Sequence, residues 1–215
     1  MPHPDRLLEL REAGIVAVLR APNTEAALRA VDALIAGGIT AIEVTYSTPE
    51  PARVIREIIR NHGDAVYIGA GTIVHPGQAR EVAEAGARFL VSPGTAPSLA
   101  AEMIATGGVV MLGAMTPSEV MLATSLGADA IKIFPASLGG PAYLGSLRGP
   151  FPEVPLMPTG GVTAANISQW FAAGAIAVGA GSDLCSPTAM AEGDWDRIEA
   201  TARSFSSALA EARGR

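Results

Sequence analysis

The chain has 215 residues, which is ample for one domain with a sizeable buried core and sufficient for two at most. Hydrophobic residues make up 49% and charged residues 17%, a composition typical of globular rather than disordered proteins. The net charge of −6 excludes the basic surface that attracts nucleic acid or an anionic membrane, although local groups can still hold a small anionic substrate.

Short apolar runs are predicted to form eight strands. The runs are continuous rather than alternating, which is typical of strands buried on both faces of a parallel sheet. Prolines and glycines interrupt the uncharged stretch 154–182, so it is predicted to contain strands and loops and not a membrane span. In chain order, the predicted strands are residues 15–19, 40–45, 65–68, 88–91, 109–112, 130–134, 155–157 and 175–178.

Amphipathic segments between these runs are predicted to form helices, because their apolar residues recur at spacings of three and four. Asn23, Thr48, Thr116 and Thr163 are predicted N-caps, and glycines mark the predicted helix ends. The clearest helices are residues 24–36, 49–61, 77–85, 97–105 and 117–126.

The alternation of strand and helix predicts an α/β fold. Repeats of roughly 25 residues, preceded by a short N-terminal helix, fit a single (β/α)8 TIM barrel domain over residues 1–215. A doubly wound open sheet is the alternative. The first strand lacks a dinucleotide-binding fingerprint and no linker divides the chain, so we expect one closed barrel.

Lys132 is the only lysine among the 15 basic residues, and it lies in an apolar predicted strand. Burial disfavours an ammonium ion and frees the amine lone pair, which prepares a lysine to attack a ketone and form a Schiff base. The structural alternatives are a side chain that reaches solvent from a strand end or that pairs with a carboxylate. Because arginine would serve equally well as a plain cation, we favour the nucleophile.

Glu43 is the only carboxylate in the second predicted strand. Inward-facing residues of a barrel form layers contributed by alternate strands, so the second and sixth strands can place Glu43 opposite Lys132 in one layer. A purely structural ion pair is the alternative. We expect Glu43 to carry protons for the lysine.

The loops after the seventh and eighth predicted strands carry Gly160, Gly161, Gly181 and Ser182. Barrel enzymes often bind phosphate there on backbone N–H groups, which glycines leave accessible. The glycines of either loop alone could also mark a tight turn, but the placement of both loops after the seventh and eighth strands favours a phosphate site.

The sequence contains none of the common motifs for other kinds of catalysis. There is no Walker-type phosphate loop, nucleophile elbow or His-Glu-x-x-His pattern, so we expect no metal and no cofactor. The single cysteine, Cys185, and the lack of a secretory signal pattern lead us to expect a cytoplasmic location.

Motifs spread along nearly the whole chain resemble those of one aldolase family. They occupy residues 14–20, 37–45, 69–72, 91–94, 132–135, 158–162 and 181–182. Through them the chain resembles the class I 2-keto-3-deoxy-6-phosphogluconate (KDPG) aldolases, which share fold and chemistry with 4-hydroxy-2-oxoglutarate (KHG) and 2-keto-3-deoxy-6-phosphogalactonate aldolases.

The resemblance implies roles for individual residues. Lys132 would form the Schiff base, Glu43 would be the general acid/base, and no metal or cofactor would be needed. A small-molecule keto-acid sugar phosphate is the implied substrate, and a homotrimer the implied assembly. The implied phosphate site is Gly160, Gly161, Gly181 and Ser182, and the implied substrate pocket is Arg20, Thr72, Pro93, Phe134 and Thr159.

One departure from the family pattern concerns the substrate carboxylate. Some members place an arginine after Glu-Val-Thr-Leu, whereas this chain has Ser47 after Tyr46. Arg20 or backbone donors near Thr72 are the alternatives for holding the carboxylate. Thr159 resembles the gluconate-type enzymes, since the galactonate-type ones tend to carry an apolar residue there.

The expected reaction is therefore the reversible cleavage of KDPG to pyruvate and glyceraldehyde 3-phosphate. KHG and 2-keto-3-deoxy-6-phosphogalactonate are the alternative substrates. A barrel that binds a sugar phosphate without catalysis is the alternative outside the enzymes.

Overall fold

Strands and helices alternate along the computed structural model, which describes residues 4–214; residues 1–3 and 215 of the predicted domain lie outside the described residues. The strands are β1 (Ile15–Leu19), β2 (Ala41–Thr45), β3 (Tyr67–Gly71), β4 (Phe89–Val91), β5 (Val109–Ala114), β6 (Ala130–Ile133), β7 (Leu156–Pro158) and β8 (Val178–Ala180). The helices are α1 (Leu8–Ala13), α2 (Thr24–Ala36), α3 (Pro51–His62), α4 (Gln78–Glu84), α5 (Pro97–Ala105), α6 (Pro117–Ser125), α7 (Gly140–Arg148), α8 (Ile167–Ala172), α9 (Pro187–Glu192) and α10 (Trp195–Ala212).

All strand pairs in the sheet are parallel, and the order β7-β6-β5-β4-β3-β2-β1-β8 follows the chain around a barrel. A further parallel bridge, between Thr159 and Gly179, joins the β7 edge to β8. The predicted (β/α)8 barrel with its short N-terminal helix is confirmed. No helix between residues 4 and 214 is both long and apolar enough to span a lipid bilayer.

The barrel has one filled end. Leu7 and Leu10, at the start of the chain, are buried in a cluster with inward-facing residues such as Phe89, Met111 and Met157. These residues lie on strands close to their amino ends, so the N-terminal segment closes that end. The carboxyl ends of the strands are the end that can receive a ligand, as in barrel enzymes generally.

Only β1 has its predicted bounds, and the largest differences are in β3, β5 and β8, which end in glycine or alanine. The predicted strands are residues 65–68, 109–112 and 175–178, whereas the observed ones are Tyr67–Gly71, Val109–Ala114 and Val178–Ala180. Gly69 lies beneath the Phe89 ring: a Cβ there would be 2.3 Å from a ring carbon. Neighbouring atoms pack so closely over the glycines of these strands that a side chain would not fit. The pattern of hydrophobic residues does not predict such contacts.

Two predicted helix caps are wrong. Helix α3 begins at Pro51 after Glu50, and the Thr48 hydroxyl instead accepts a hydrogen bond from the Ala21 N–H. Helix α8 follows Asn166, which replaces Thr163 as the residue before the helix. Asn23 and Thr116 do cap α2 and α6 through their side chains, as predicted.

Candidate active site

Lys132 and Glu43 meet inside the barrel. Lys132 lies on β6 and Glu43 on β2, and Nζ of the lysine donates to Oε1 of the glutamate at 3.4 Å. The lysine is 4% exposed and the glutamate 0%. A buried amine beside a buried carboxylate can exchange protons in a site largely shielded from water.

Gly71 makes room for the Glu43 carboxylate. A Cβ atom on Gly71 would lie 1.8 Å from Oε1 of Glu43, which no side chain permits. Any larger residue at the end of β3 would therefore push the carboxylate from its place beside Lys132. The sequence motif around residues 69–72 contained this glycine, but its steric role is visible only in the structure.

Two buried polar atoms in this interior have no partner among the described residues. They are Oε2 of Glu43 and Oγ1 of Thr159. Buried polar atoms are rarely left unsatisfied, and those that are often belong to sites that bind a ligand. Thr159 lies against β8, because a Cβ on Gly179 would be 2.2 Å from its Oγ1. Both atoms are available to a substrate in the barrel.

The two glycine loops are adjacent at the carboxyl end, where Thr159 pairs with Gly179. Gly160 and Gly161 have φ angles of 98° and 73°, values that favour glycine. No acceptor within residues 4–214 takes the backbone N–H of Gly161, Val162, Gly181 or Ser182. These N–H groups are available to an anion.

Arg20 lies at the second of these loops. Its Nη1 is 3.2 Å from the position that a Cβ on Gly181 would take. The guanidinium also acts on the buried thiol of Cys185, opposing the increase in pKa to about 12 that burial causes. Arg20 thus brings positive charge to Gly181 and Ser182.

Phe134 directly follows β6, the strand that carries Lys132, and Pro93 follows β4. The Phe134 ring centre is 5.3 Å from Nζ of Lys132, within the range of a cation–π contact. Pro93, after β4, packs so tightly on β5 that a Cβ on Gly113 would be 2.1 Å from its carbonyl carbon. Both are half-buried.

Thr72 follows β3 with a φ of 59°, an uncommon conformation for a β-branched residue. The loop beyond it is held by Gln78, whose Oε1 accepts from the N–H groups of Val74 and His75. The Tyr46 hydroxyl lies 2.8 Å from both the backbone carbonyl of Gln78 and Oε2 of Glu81, and it donates its one proton to one of them. Burial raises the pKa of Tyr46, so this hydroxyl keeps its proton. Unusual backbone conformations held in this way cluster at binding sites.

Ser47 is not free to donate to a substrate. The Thr45 hydroxyl donates its one proton to the carbonyl of Leu19, so the 2.6 Å contact between Ser47 Oγ and Thr45 Oγ1 uses the proton of Ser47. These bonds tie the loop after β2 to β1. The sequence singled out Ser47 for lacking charge, and the structure shows that its hydroxyl proton is also taken.

Within the described part of the chain, no three His, Cys, Asp or Glu side chains converge as metal ligands. The fold and the Lys132–Glu43 pair thus define a barrel with a lysine-centred site at the carboxyl ends of its strands. Every residue that the sequence singled out, from Arg20 to Ser182, follows or lies in one of the strands β1, β2, β3, β4, β6, β7 and β8.

Comparison with known proteins gives the family. The profile of the aldolase family described as "KDPG and KHG aldolase" matches residues 8–201. The KHG/KDPG aldolase of Escherichia coli K12 is 40% identical over 193 residues, covering 88% of this chain and 89% of the relative. The 2-dehydro-3-deoxy-6-phosphogalactonate aldolase of the same organism is 35% identical over 171 residues, covering 79% and 83%.

A solved structure extends this likeness to three dimensions. The KDPG aldolase of Legionella pneumophila, with pyruvate captured as a covalent carbinolamine intermediate, superposes with a TM-score of 0.83 at 32% identity and covers 89% of this chain and 93% of that one. The chain belongs to the KDPG and KHG aldolase family. It is an aldolase, a carbon–carbon lyase.

Proposed function

We propose that this protein is a class I aldolase that reversibly cleaves KDPG to pyruvate and glyceraldehyde 3-phosphate. The observation that carries the proposal is the buried Lys132 amine 3.4 Å from the buried Glu43 carboxylate. A lysine nucleophile beside a proton carrier is the arrangement that Schiff-base catalysis requires.

In this mechanism, Nζ of Lys132 attacks the C2 ketone of the substrate and forms a carbinolamine. Loss of water gives an iminium ion, which accepts the electron pair when the C3–C4 bond breaks. Glu43 supplies and removes protons in carbinolamine formation, and it takes the proton of the C4 hydroxyl during cleavage, directly or through water. The resulting enamine is protonated at C3 and hydrolysed, which releases pyruvate and restores the lysine.

The two ends of the substrate are assigned to different loops. We assign the phosphate to the N–H groups around Gly160, Gly161, Gly181 and Ser182, with the Arg20 guanidinium as countercharge, because Arg20 lies at Gly181. The carboxylate then falls to backbone donors near Thr72. Thr159, whose buried hydroxyl has no partner among the described residues, is available to a substrate hydroxyl.

The experiment that tests the mechanism is reductive trapping. Incubation with pyruvate and borohydride should add one pyruvate-derived group per chain, at Lys132. Because Lys132 is the only lysine, peptide mapping needs to distinguish it only from the α-amine. A Lys132→Met variant is the matched control. An unmodified Lys132, or full activity in the variant, would contradict the proposal and leave a non-catalytic sugar-phosphate-binding barrel as the better reading.

The choice of substrate rests on the N–H groups at the glycine loops that have no acceptor among the described residues. KHG carries no phosphate, so an enzyme for KHG would gain nothing from them. The kcat/KM values for KDPG, 2-keto-3-deoxy-6-phosphogalactonate and KHG, measured side by side, decide among the three. A higher value for KHG would overturn the phosphate assignment while leaving the lysine chemistry intact.

We also propose that residues 1–215 form one domain, that the protein assembles as a homotrimer and that it is cytoplasmic. The first rests on the continuous barrel over the described residues, and the others on the resemblance to the family. Sedimentation equilibrium should give three times the chain mass; a monomer or dimer would contradict the assembly.

A further inference from the structure

The first of the two glycine loops lies between Thr159 and Thr163, and it has a conformation that needs external support. It is called the glycine loop below. Gly160 and Gly161 both have positive φ angles, and the loop belongs to no helix or strand beyond its first bridge at Thr159. Glycine has more conformational freedom than any other residue, so consecutive glycines do not hold such a shape by themselves.

Asn166 supplies that support through both ends of its side-chain amide. Its Nδ2 donates to the carbonyl of Gly161 at 2.8 Å, and its Oδ1 accepts from the N–H of Thr163 at 2.9 Å. Oδ1 also accepts from the indole N–H of Trp170 at 3.1 Å, and Trp170 is only 2% exposed. The amide is thereby fixed in orientation and links the glycine loop to the core.

The side chain of Asn166 bonds to the loop and to the Trp170 side chain on α8, and not to the backbone of that helix. Asn166 precedes α8, yet it makes no side-chain capping bond to that helix. Two of its three side-chain bonds go to the loop. A role limited to starting α8 would use Oδ1 on a backbone N–H of the first turn.

The hydrogen bond from Asn166 to Gly161 also determines the direction of a backbone N–H group in the loop. The carbonyl of Gly161 and the N–H of Val162 belong to one planar trans peptide unit, so they point in opposite directions. Holding the carbonyl on Asn166 therefore turns the Val162 N–H away from Asn166. That N–H has no acceptor among the described residues.

We propose that Asn166 is a positioning residue, which holds the glycine loop in the conformation that binds the phosphate and so determines the preference for a phosphorylated keto acid. This inference rests on the proposed function. Asn166 lies outside the lysine chemistry, because within residues 4–214 its side-chain bonds go to Gly161, Thr163 and Trp170.

The test uses Asn166→Asp and Asn166→Ala. The aspartate keeps the acceptor for Thr163 and Trp170 but loses the donor to Gly161 and brings a negative charge to the loop. For KDPG, KM should rise at least about tenfold in Asn166→Asp and less in Asn166→Ala, because a misdirected donor loses a hydrogen bond to a charged group. For KHG and for pyruvate trapping at Lys132, changes should stay within about twofold, since neither ligand has a phosphate.

Inorganic phosphate provides a second measurement that needs no turnover. Its inhibition constant against KHG cleavage should rise in both variants in parallel with KM for KDPG. The control is Glu119→Ala, which removes three hydrogen bonds from the loop before α6 and should leave all these constants unchanged. Phosphate inhibition that stays at the wild-type value in a folded variant overturns the proposal.

The remaining outcomes are also decisive. Equal losses on KDPG and KHG, at an unchanged melting temperature, would mean that Asn166 supports the whole site and not the phosphate loop. If neither aspartate nor alanine is tolerated for folding, Asn166→Ser, with a hydroxyl too short to bridge to Gly161, must show the same split or the inference fails. Failure of the proposed function is distinguishable, because wild-type protein would then neither trap pyruvate nor cleave KDPG.

Discussion

Gly71 and the carboxylate of Glu43 compete for one space at the end of β3, and only the lack of a side chain at position 71 lets Oε1 reach Lys132. We expect Gly71→Ala to displace the carboxylate and lower kcat by about 10² or more, since a misplaced acid/base group loses much of its effect. Gly145→Ala is the matched control: its Cβ would meet nothing within 4 Å, and it lies on α7. A kcat near wild type in Gly71→Ala would show that the carboxylate has another place from which to act.

Glu43→Gln keeps the size of the side chain and removes the base. The turnover number should fall by about 10² to 10⁴, while the pyruvate adduct at Lys132 still forms slowly. The double variant with Gly71→Ala should be no slower than Glu43→Gln alone, because both changes act through one carboxylate. Additive losses would contradict this, and near wild-type turnover in Glu43→Gln would reduce Glu43 to a structural role.

Gly181→Ala is the cleaner probe of the phosphate site. The φ of Gly181 is not positive, and an added Cβ would meet only the flexible end of Arg20, at 3.2 Å. Gly161→Val, in contrast, would combine a φ of 73° with a Cβ 2.9 Å from that of Ser137, so backbone strain would obscure the result. In Gly181→Ala, kcat/KM for KDPG should fall about tenfold and that for KHG much less. Equal effects on both substrates would show that the loops do not hold phosphate.

Alkaline pH should destabilise the protein through buried groups with raised pKa values, of which Cys185 and Tyr67 are the most buried. Burial raises the pKa of Cys185 from 9.0 to about 12 and that of Tyr67 from 10.0 to about 12. The unfolded chain therefore loses these protons at a lower pH than the folded protein, so the free energy of unfolding falls as pH rises from about 9 to 12. Thermal unfolding between pH 8 and 11 measures it, and Cys185→Ala should flatten the decline. A melting temperature independent of pH in the wild type would contradict the burial of both groups.

How far the sequence predicted the structure depended on whether the signal was local. Helices α2 and α5 match their predicted bounds, because apolar spacing and Asn23 or Pro97 at the start are local signals. The ends of β3 and β8 do not match their predicted bounds. Their glycines are required by close contacts with side chains that are distant in the sequence.

The same distinction applies to the site. Lys132 and Glu43 were predictable because the type of residue in each strand was itself unusual, and barrel symmetry places alternate strands in one layer. The proposed role of Asn166 was not predicted from the sequence, because it depends on three side-chain contacts that are visible only in the structure. An asparagine three residues beyond Thr163, just before a helix, was the available signal.

The packing of Leu7 and Leu10 closes the amino end of the barrel, so in the described part of the chain the site is reached from the carboxyl end. Substrate and both products then share the carboxyl end, where the glycine loops follow β7 and β8, while Lys132 lies within β6 and is buried. Under the proposed mechanism, the phosphorylated aldehyde is the fragment nearer the exit and leaves first, with the three-carbon fragment still attached to the lysine behind it. The covalent bond to Lys132 thus orders the release of the products, and in the reverse direction pyruvate must bind before the aldehyde.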